Sequence, residues 1–356
     1  MNYDVFNGDA DGILALLQLR LAAKNSGDSA LSMGSSVESS VELSIKTPNE
    51  PTLITGVKRD ISLLEKIPTD TLNSNSVVTV LDISMEKNSS ALKQVLKTGA
   101  KVLYIDHHRA DAHLESDNEL TKGNLQAHID LSPDTCTALI VDKLIDGAYH
   151  DWAICGAYGD NLVSIADNLC EAASLSNLQS DQLKTLGTLI NYNGYGAEIG
   201  DLAYHPAELF TLLLRYQSPF ECIEDLSSPY HLLKSKFEAD MSQARKSEVI
   251  FESEHLHASV MPDMPWSRRI SGTYGNQLAN GTPERAHLVF TIVDSEHYLV
   301  SLRAPLNNRV GAGDLCSQFD SGGGRAGAGG INQLPQSEAL ALCQRVHDFY
   351  AKLDTR

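Results

Sequence analysis

The sequence predicts two α/β-type domains: an N-terminal domain on a mainly parallel sheet, a helical connector and a smaller C-terminal α+β domain. Three observations carry this. The 356 residues exceed what one typical core organises. Short, dense apolar runs such as VVTVLDI at 77–83 and KVLYID at 101–106 alternate with segments of helical spacing, the pattern of buried parallel strands and their crossovers. From about residue 250 the alternation gives way to strand-like runs and a closing amphipathic helix.

Taken in order, NYDVF at 2–6 is a first strand, GDADG a loop, and ILALLQLRLAAK a helix. Residues 25–50 are rich in serine and poor in large apolar groups, and read as a flexible surface insertion. TLITG resumes the regular pattern, followed by ISLLEKI, VVTVLDI as a strand, SALKQVLK as a helix and KVLYID as the next strand. LQAHIDL at 125–131 is a further strand, TCTALIVDKLID a helix, and alternation is expected through about residue 190. PAELFTLLLRY and HLLKSKFEADMSQARKSEV read as connector helices. EHLHASVM, HLVFTIV and HYLVSLRAP read as strands, GGGRAGAGG as a glycine loop, and SEALALCQRVHDFYAKL as the terminal helix. The expected boundaries are 1–195, 196–249 and 250–356.

A net charge of −18 argues against broad binding of long duplex nucleic acid, which needs a basic surface. No apolar run reaches the length of a membrane span, and the start MNYDVFNGDADG has no basic leader. The six cysteines are irregularly spaced without a CxxC pair, so free thiols in a reducing compartment are expected rather than a thiolate zinc site. A cytoplasmic location follows as an expectation.

Carboxylates recur just beyond the apolar runs. Asp9 and Asp11 follow the first strand, Asp82 ends VVTVL, Asp106 ends KVLYI, and Asp160 ends a run containing AICGAYG. Ligands of an open parallel sheet bind outside the carboxyl ends of its strands. Five carboxylates and the imidazoles of His107 and His108 gathered there would repel one another without cations. Two divalent ions, Mn²⁺ or Mg²⁺, would relieve the repulsion and could activate water against a phosphoryl group. Each piece alone has a plainer reading, as a helix cap or a strand exit. Their ordered recurrence favours the metal site.

GDADG, VLDIS, YIDHHR and GAYGDN resemble the four ordered motifs of the DHH phosphoesterase superfamily, and the C-terminal part resembles its DHH-associated domain with a GGGH-like glycine loop. The likeness covers nearly the whole chain outside 25–50. It implies Asp9 as ligand of a first metal, Asp11 and Asp160 of a second, and Asp82 as the bridge. It also implies Asp106 as an ordering residue near a metal, and His107 and His108 at metal or scissile phosphate. Asn7 stands where many members have histidine, which leaves first-metal coordination weaker or met by its amide oxygen. On the substrate side the resemblance implies Arg303 and the glycine loop, here Gly322, Gly323, Gly324 and Arg325, with arginine where histidine is usual. Glycines admit close backbone approach to phosphate, and arginine binds it bidentately. Arg268 and Arg269 read as a solvated surface pair or as cleft residues. His255 and His257 read as structural or exposed.

Metals on one domain and a phosphate grip on the other suit a short substrate measured across a gap. The acidic composition and 6% aromatic content do not suit a long stacking channel. The expected activity is therefore a metal-dependent phosphodiesterase, an oligoribonuclease-like 3′–5′ exonuclease. It would act on short RNA or linear dinucleotides such as pGpG, giving nucleoside 5′-monophosphates, as monomer or homodimer and away from membranes. The alternatives are an inorganic pyrophosphatase or exopolyphosphatase, a cyclic-dinucleotide phosphodiesterase, and a non-catalytic nucleotide sensor.

Overall fold

The computed structural model describes residues 1–25, 50–108 and 123–354. All but the end residues of the serine-rich stretch, together with Arg109 and His113, lie outside the described residues. The chain forms two compact units, Met1–Lys234 and Ser235–Arg356.

In the first unit β1 (Tyr3–Phe6), β2 (Thr52–Ile54), β3 (Val77–Leu81), β4 (Lys101–Asp106) and β5 (Leu125–Ile129) form a wholly parallel sheet in the order β2-β1-β3-β4-β5. The chain winds outward from β1 to β2, then returns to the other side of β1 to place β3. That reversal is a topological switch point, where crossover connections diverge and open a crevice at the strands' carboxyl ends. Val5, Val78, Val80, Val102 and Tyr104 pack one face against Leu92, Val95 and Leu96 of α2 (Met85–Lys97) and against Leu63 and Leu64. Each such side chain contributes about 1.5–3 kcal/mol by leaving water.

Helix α1 (Ala10–Asn25) is buried almost all round, through Ile13, Leu14, Leu16, Leu17 and Leu21, and its Gln18 amide donates to the carbonyls of Leu14 and Ala138. A helix apolar on every side belongs at the centre of a unit.

The predicted alternation stops earlier than expected. After β5 come only helices: α3 (Thr137–Leu144), α4 (His150–Gly159), α5 (Val163–Ala172), α6 (Asn177–Gly194), α7 (Pro206–Leu213) and α8 (Pro219–Glu224). Asp160 therefore closes a helix rather than a strand. The run AICGAYG has no polar stripe because α4 is buried from Trp152 to Gly159, and a short run that is apolar throughout does not distinguish a buried helix from a strand.

Helix α9 (Pro229–Ala244) spans the division between the units. The second unit contains β6 (Glu248–Glu252), β7 (Leu256–Met261), α10 (Pro265–Gly281), β8 (Ala286–Ile292), β9 (His297–Arg303), α11 (Ala312–Cys316), β10 (Gly322–Arg325), β11 (Ala328–Pro335) and α12 (Ala339–Asp354). Its sheet runs β10-β11-β9-β8-β7-β6, antiparallel except for the pair β7 and β8, which α10 connects as a crossover. Helix α10 was not expected, since PWSRRISGTYGNQLANG holds three glycines and few large apolar residues.

The glycine stretch, for which a hairpin is the plainer reading beside an anion-binding loop, forms a β-hairpin, with Gly322 opposite Ile331 and Arg325 opposite Ala328. Arg268 and Arg269 are not a solvated pair: Arg269 is buried and bonded to Asp240 at 2.8–2.9 Å, and Arg268 pairs with Asp263. His255 and His257 are held by Asp354 and Glu252 at 3.1 and 2.6 Å.

Candidate metal centre

Three adjacent strands deliver the polar groups to one edge. Asp9 follows β1, Asp82 follows β3, and Asp106 ends β4 with His107 and His108 directly beyond it. Asp9 and Asp82 thus flank the switch between β1 and β3. The ladder continues into the site, with the Asn7 amide donating to Leu81 O and the Asp82 amide to Ile105 O.

Asp9 caps α1, accepting from the Gly12 amide at 3.1 Å while its carbonyl accepts from Ile13. Asp11 projects from the first turn of α1 onto the start of α3. Its two oxygens accept from the amides of Thr137 at 2.8 Å and Ala138 at 2.7 Å. These amides are orphan donors of a helix N-terminus, so the carboxylate is held by both hydrogen bonds and dipole. The glycines of the motifs have packing duties: a Cβ on Gly8 would meet Gly56 O at 1.8 Å, and one on Gly159 would meet the Ala10 Cβ at 2.3 Å.

Asp82 has a left-handed backbone, φ 58°, uncommon outside glycine and best tolerated by aspartate and asparagine. It is fully buried, and its Oδ1 accepts from the Thr137 hydroxyl at 3.3 Å. Burial, and then the charges of Asp11, Asp9, Asp106 and Asp160, push its carboxyl well above the usual range. Burial and Asp11 likewise push Asp160 up to about 6. The His108 Nδ1 lies 2.7 Å from Asp106 Oδ1, and this hydrogen bond raises the imidazole's pKa. The second oxygen of Asp106 is buried with no partner.

His107 Nε2 sits 3.5 Å from Asp82, 3.7 Å from Asp11 and 3.9 Å from Asp160. Two sets of ligand atoms result, Asp82–His107–His108 and Asp11–His107–Asp160, each within 4.8 Å. The donor set is hard oxygen with borderline imidazole, the carboxyls of Asp82 and Asp160 are pushed upward, and one buried oxygen of Asp106 is orphaned. This chemistry fits divalent cations such as Mn²⁺ or Mg²⁺.

Asp9 stands outside both sets. Lys58, which the sequence did not single out, places its ammonium 2.6 Å from Asp9 and 3.9 Å from Asp160. Burial works against that charge, but Asp9, Tyr195 and Asp160 raise the Lys58 pKa well above its usual value. In turn, against the upward push of burial, Lys58 and the Gly12 amide hold the Asp9 carboxyl below its usual range. Asn7 donates to the Lys58 carbonyl at 3.4 Å. The only signal in the sequence was a lone lysine after a strand, which by default is solvated.

In the second unit Arg303 ends β9. Its guanidinium donates to Asn276 Oδ1, Ser301 Oγ, and the carbonyls of Leu302 and Gly272 at 2.6–3.3 Å. Arg325 is exposed at the end of β10. A Cβ on Gly322 would meet Cys316 O at 1.9 Å and one on Gly324 would meet Ala328 O at 2.4 Å, whereas Gly323 faces open space. Two of the three glycines are thus required by packing.

A parallel β2-β1-β3-β4-β5 sheet with an acidic carboxyl edge, followed by a six-stranded mixed-sheet unit, is a fold shared with solved structures of RecJ and of a DHH domain. Among solved structures, the chain matches RecJ from Thermus thermophilus in complex with Mn²⁺, with TM-score 0.59 and 16% identity over 99% of this chain and 52% of RecJ. It therefore spans about half the length of that protein. It matches the pGpG-specific phosphodiesterase PggH from Vibrio cholerae with TM-score 0.53 and 13% identity over 99% of both chains. An exopolyphosphatase-related protein from Bacteroides fragilis gives TM-score 0.50 and 14% identity over 100% and 93%. At these identities the likeness is one of fold. No family model and no curated protein sequence matches the chain. No helix among the described residues is long and apolar enough to cross a membrane.

Proposed function

We propose that the chain is a DHH-family, divalent-metal-dependent phosphodiesterase that cuts short oligoribonucleotides or linear dinucleotides such as pGpG to nucleoside 5′-monophosphates. One observation carries the metal chemistry: Asp11, Asp82, Asp106, Asp160, His107 and His108 converge at the switch point with carboxyls that neighbouring protein groups leave crowded. Two divalent ions, manganese or magnesium, would be held among these groups, with His107 able to serve one of the two at a time. Solved RecJ structures carry one or the other. When bound, such ions activate water and offset charge on phosphate oxygens.

The protein's own groups then have distinct tasks. Asp11 is immobilised by the start of α3, so its ligand geometry is preset. Asp82 is fixed by its left-handed turn and by Thr137. His108, oriented at Nδ1 by Asp106, presents its other ring nitrogen to a metal ion or a phosphate oxygen. Arg325 and the backbone at Gly323 are the hairpin groups open to a substrate phosphate or base. The short-substrate reading draws on the net charge of −18 and on the full-length fold likeness to PggH. The compartment in keeping with it is the cytoplasm, with the protein a monomer or homodimer.

Turnover with Mn²⁺ on 5′-phosphorylated RNA of graded length, with cyclic di-GMP, pyrophosphate and polyphosphate alongside, tests this reading. Fast cleavage of the shortest RNAs, falling with length, is the expected result. Phosphate release from polyphosphate without RNA cleavage would move the chain to an exopolyphosphatase, the reading that the Bacteroides structure favours.

A further inference from the structure

Lys58 departs from the ordinary behaviour of a lysine beside an acidic cluster. A surface lysine swings on four rotatable bonds and contributes little to an ion pair. Here the residue is tied down at backbone and side chain by separate elements. Its amide donates to Gly194 O at the end of α6 at 2.8 Å, and its carbonyl accepts from Asn7 after β1. Its ammonium donates to Asn191 Oδ1 of α6 at 3.1 Å, sits 2.6 Å from Asp9, and lies 5.5 Å from the centre of the Tyr195 ring. The backbone of Gly194 is itself packed on Asp9, where a Cβ would lie 3.0 Å from the Asp9 Cα. The end of α6 thus presses lysine and aspartate together. Charge-assisted contacts of this kind are the strong class of hydrogen bond.

Charge balance agrees. Asp9, Asp11, Asp82, Asp106 and Asp160 carry five negative charges when ionised. Two divalent ions and one ammonium carry five positive charges. Neither group of ligand atoms includes Asp9, the carboxylate that the lysine holds.

We infer that Lys58 is a built-in cation of the site: it holds Asp9 in the place of a divalent ion and confines the exchangeable ions to Asp11, Asp82, Asp160 and the two histidines. This rests on the metal-site reading above. Lys58 is a positioning residue whose ammonium neutralises one carboxylate permanently, whatever the metal supply.

The test is the number of Mn²⁺ ions per chain, by elemental analysis and calorimetric titration of the full-length protein. Asp9→Asn keeps a good helix cap and folds; its ion count is expected to equal the wild type's. Lys58→Met is expected to gain one ion per chain, and Asp9→Asn in that background to remove the gain. Without metal, Lys58→Met is expected to melt lower than wild type, with Mn²⁺ restoring it. Loss of an ion in Asp9→Asn alone would overturn the inference, even if Lys58→Met failed to fold. So would an unchanged count in a folded Lys58→Met. Should wild type bind no ion, the metal reading falls first; an ion gained by Lys58→Met would then still support the lysine's role, and none in either protein would end both.

Discussion

The carboxyl ends of β3 and β9 each place a charged side chain at the rim of a sheet, Asp82 in the first unit and Arg303 in the second. Around Arg303 the protein supplies four neutral acceptors, so its N–H groups are engaged before any ligand arrives. Around Asp82 it supplies four more carboxylates and one hydroxyl, so the charge is opposed. The first arrangement builds a stable unit. The second leaves a repulsion that a bound cation would relieve. A charged residue at a strand end is therefore read by whether its neighbours accept its hydrogen bonds or oppose its charge.

The sharpest attempt to break this contrast is Asp82→Asn, which retains a side chain tolerant of the left-handed backbone. Turnover is expected to fall by about a thousandfold, while the metal-free melting temperature rises because the repulsion is lifted. A fall in both would place Asp82 with Arg303 as a structural residue.

Next is the glycine hairpin. Gly322→Ala forces a methyl onto Cys316 O and is expected to cost about 3 kcal/mol in denaturant unfolding of the second unit. Gly323→Ala, with nothing within 4 Å, is expected to change stability by less than about 0.5 kcal/mol.

The second unit also has its own pH dependence. His287 is buried, with Nε2 2.8 Å from the Thr282 hydroxyl, Nδ1 without a partner, and His257, Arg285 and Glu252 nearby. Burial lowers its pKa from 6.5 to about 4. Between these values the unfolded chain takes up a proton that the folded chain refuses. Stability is full above pH 6.5 and declines by up to about 3 kcal/mol as pH falls to 4. Denaturant midpoints measured across that window should slope for wild type and flatten for His287→Gln.

A smaller effect separates the two arginines. Arg303→Met is expected to destabilise the second unit by about 2 kcal/mol by orphaning its acceptors. Arg325→Ala is expected to leave melting unchanged and raise KM for a phosphorylated dinucleotide about tenfold, a loss of roughly 1.4 kcal/mol in binding. Equal melting temperatures for the two variants would remove the distinction.

Much of the site was legible because its residues announce themselves locally. GDADG, VLDIS and DHHR each put carboxylates or imidazoles directly after a recognisable strand. Asp160 was legible as part of GAYGD although its element was not, since the burial that erases the polar stripe of α4 erases the signal for a helix. Lys58 and Asn191 had no local mark. They meet only because α6 ends against the loop that follows β1, and nothing in TGVKRD or LINYNG encodes that encounter. The hairpin glycines were legible as unusual, but their stretch carried no sign that α11 lies beneath them.

The contact between Gly159 and Ala10 acts as a ruler. Ala10 stands between Asp9 and Asp11, and Gly159 directly precedes Asp160. With a glycine on one helix and an alanine on the other, a single methyl group separates the two backbones. The distance from Asp11 to Asp160 is thus set by the thickness of one methyl, remote from any ligand. A second methyl at that seam would push the two carboxylates apart, so their spacing is written partly in a residue that carries no charge.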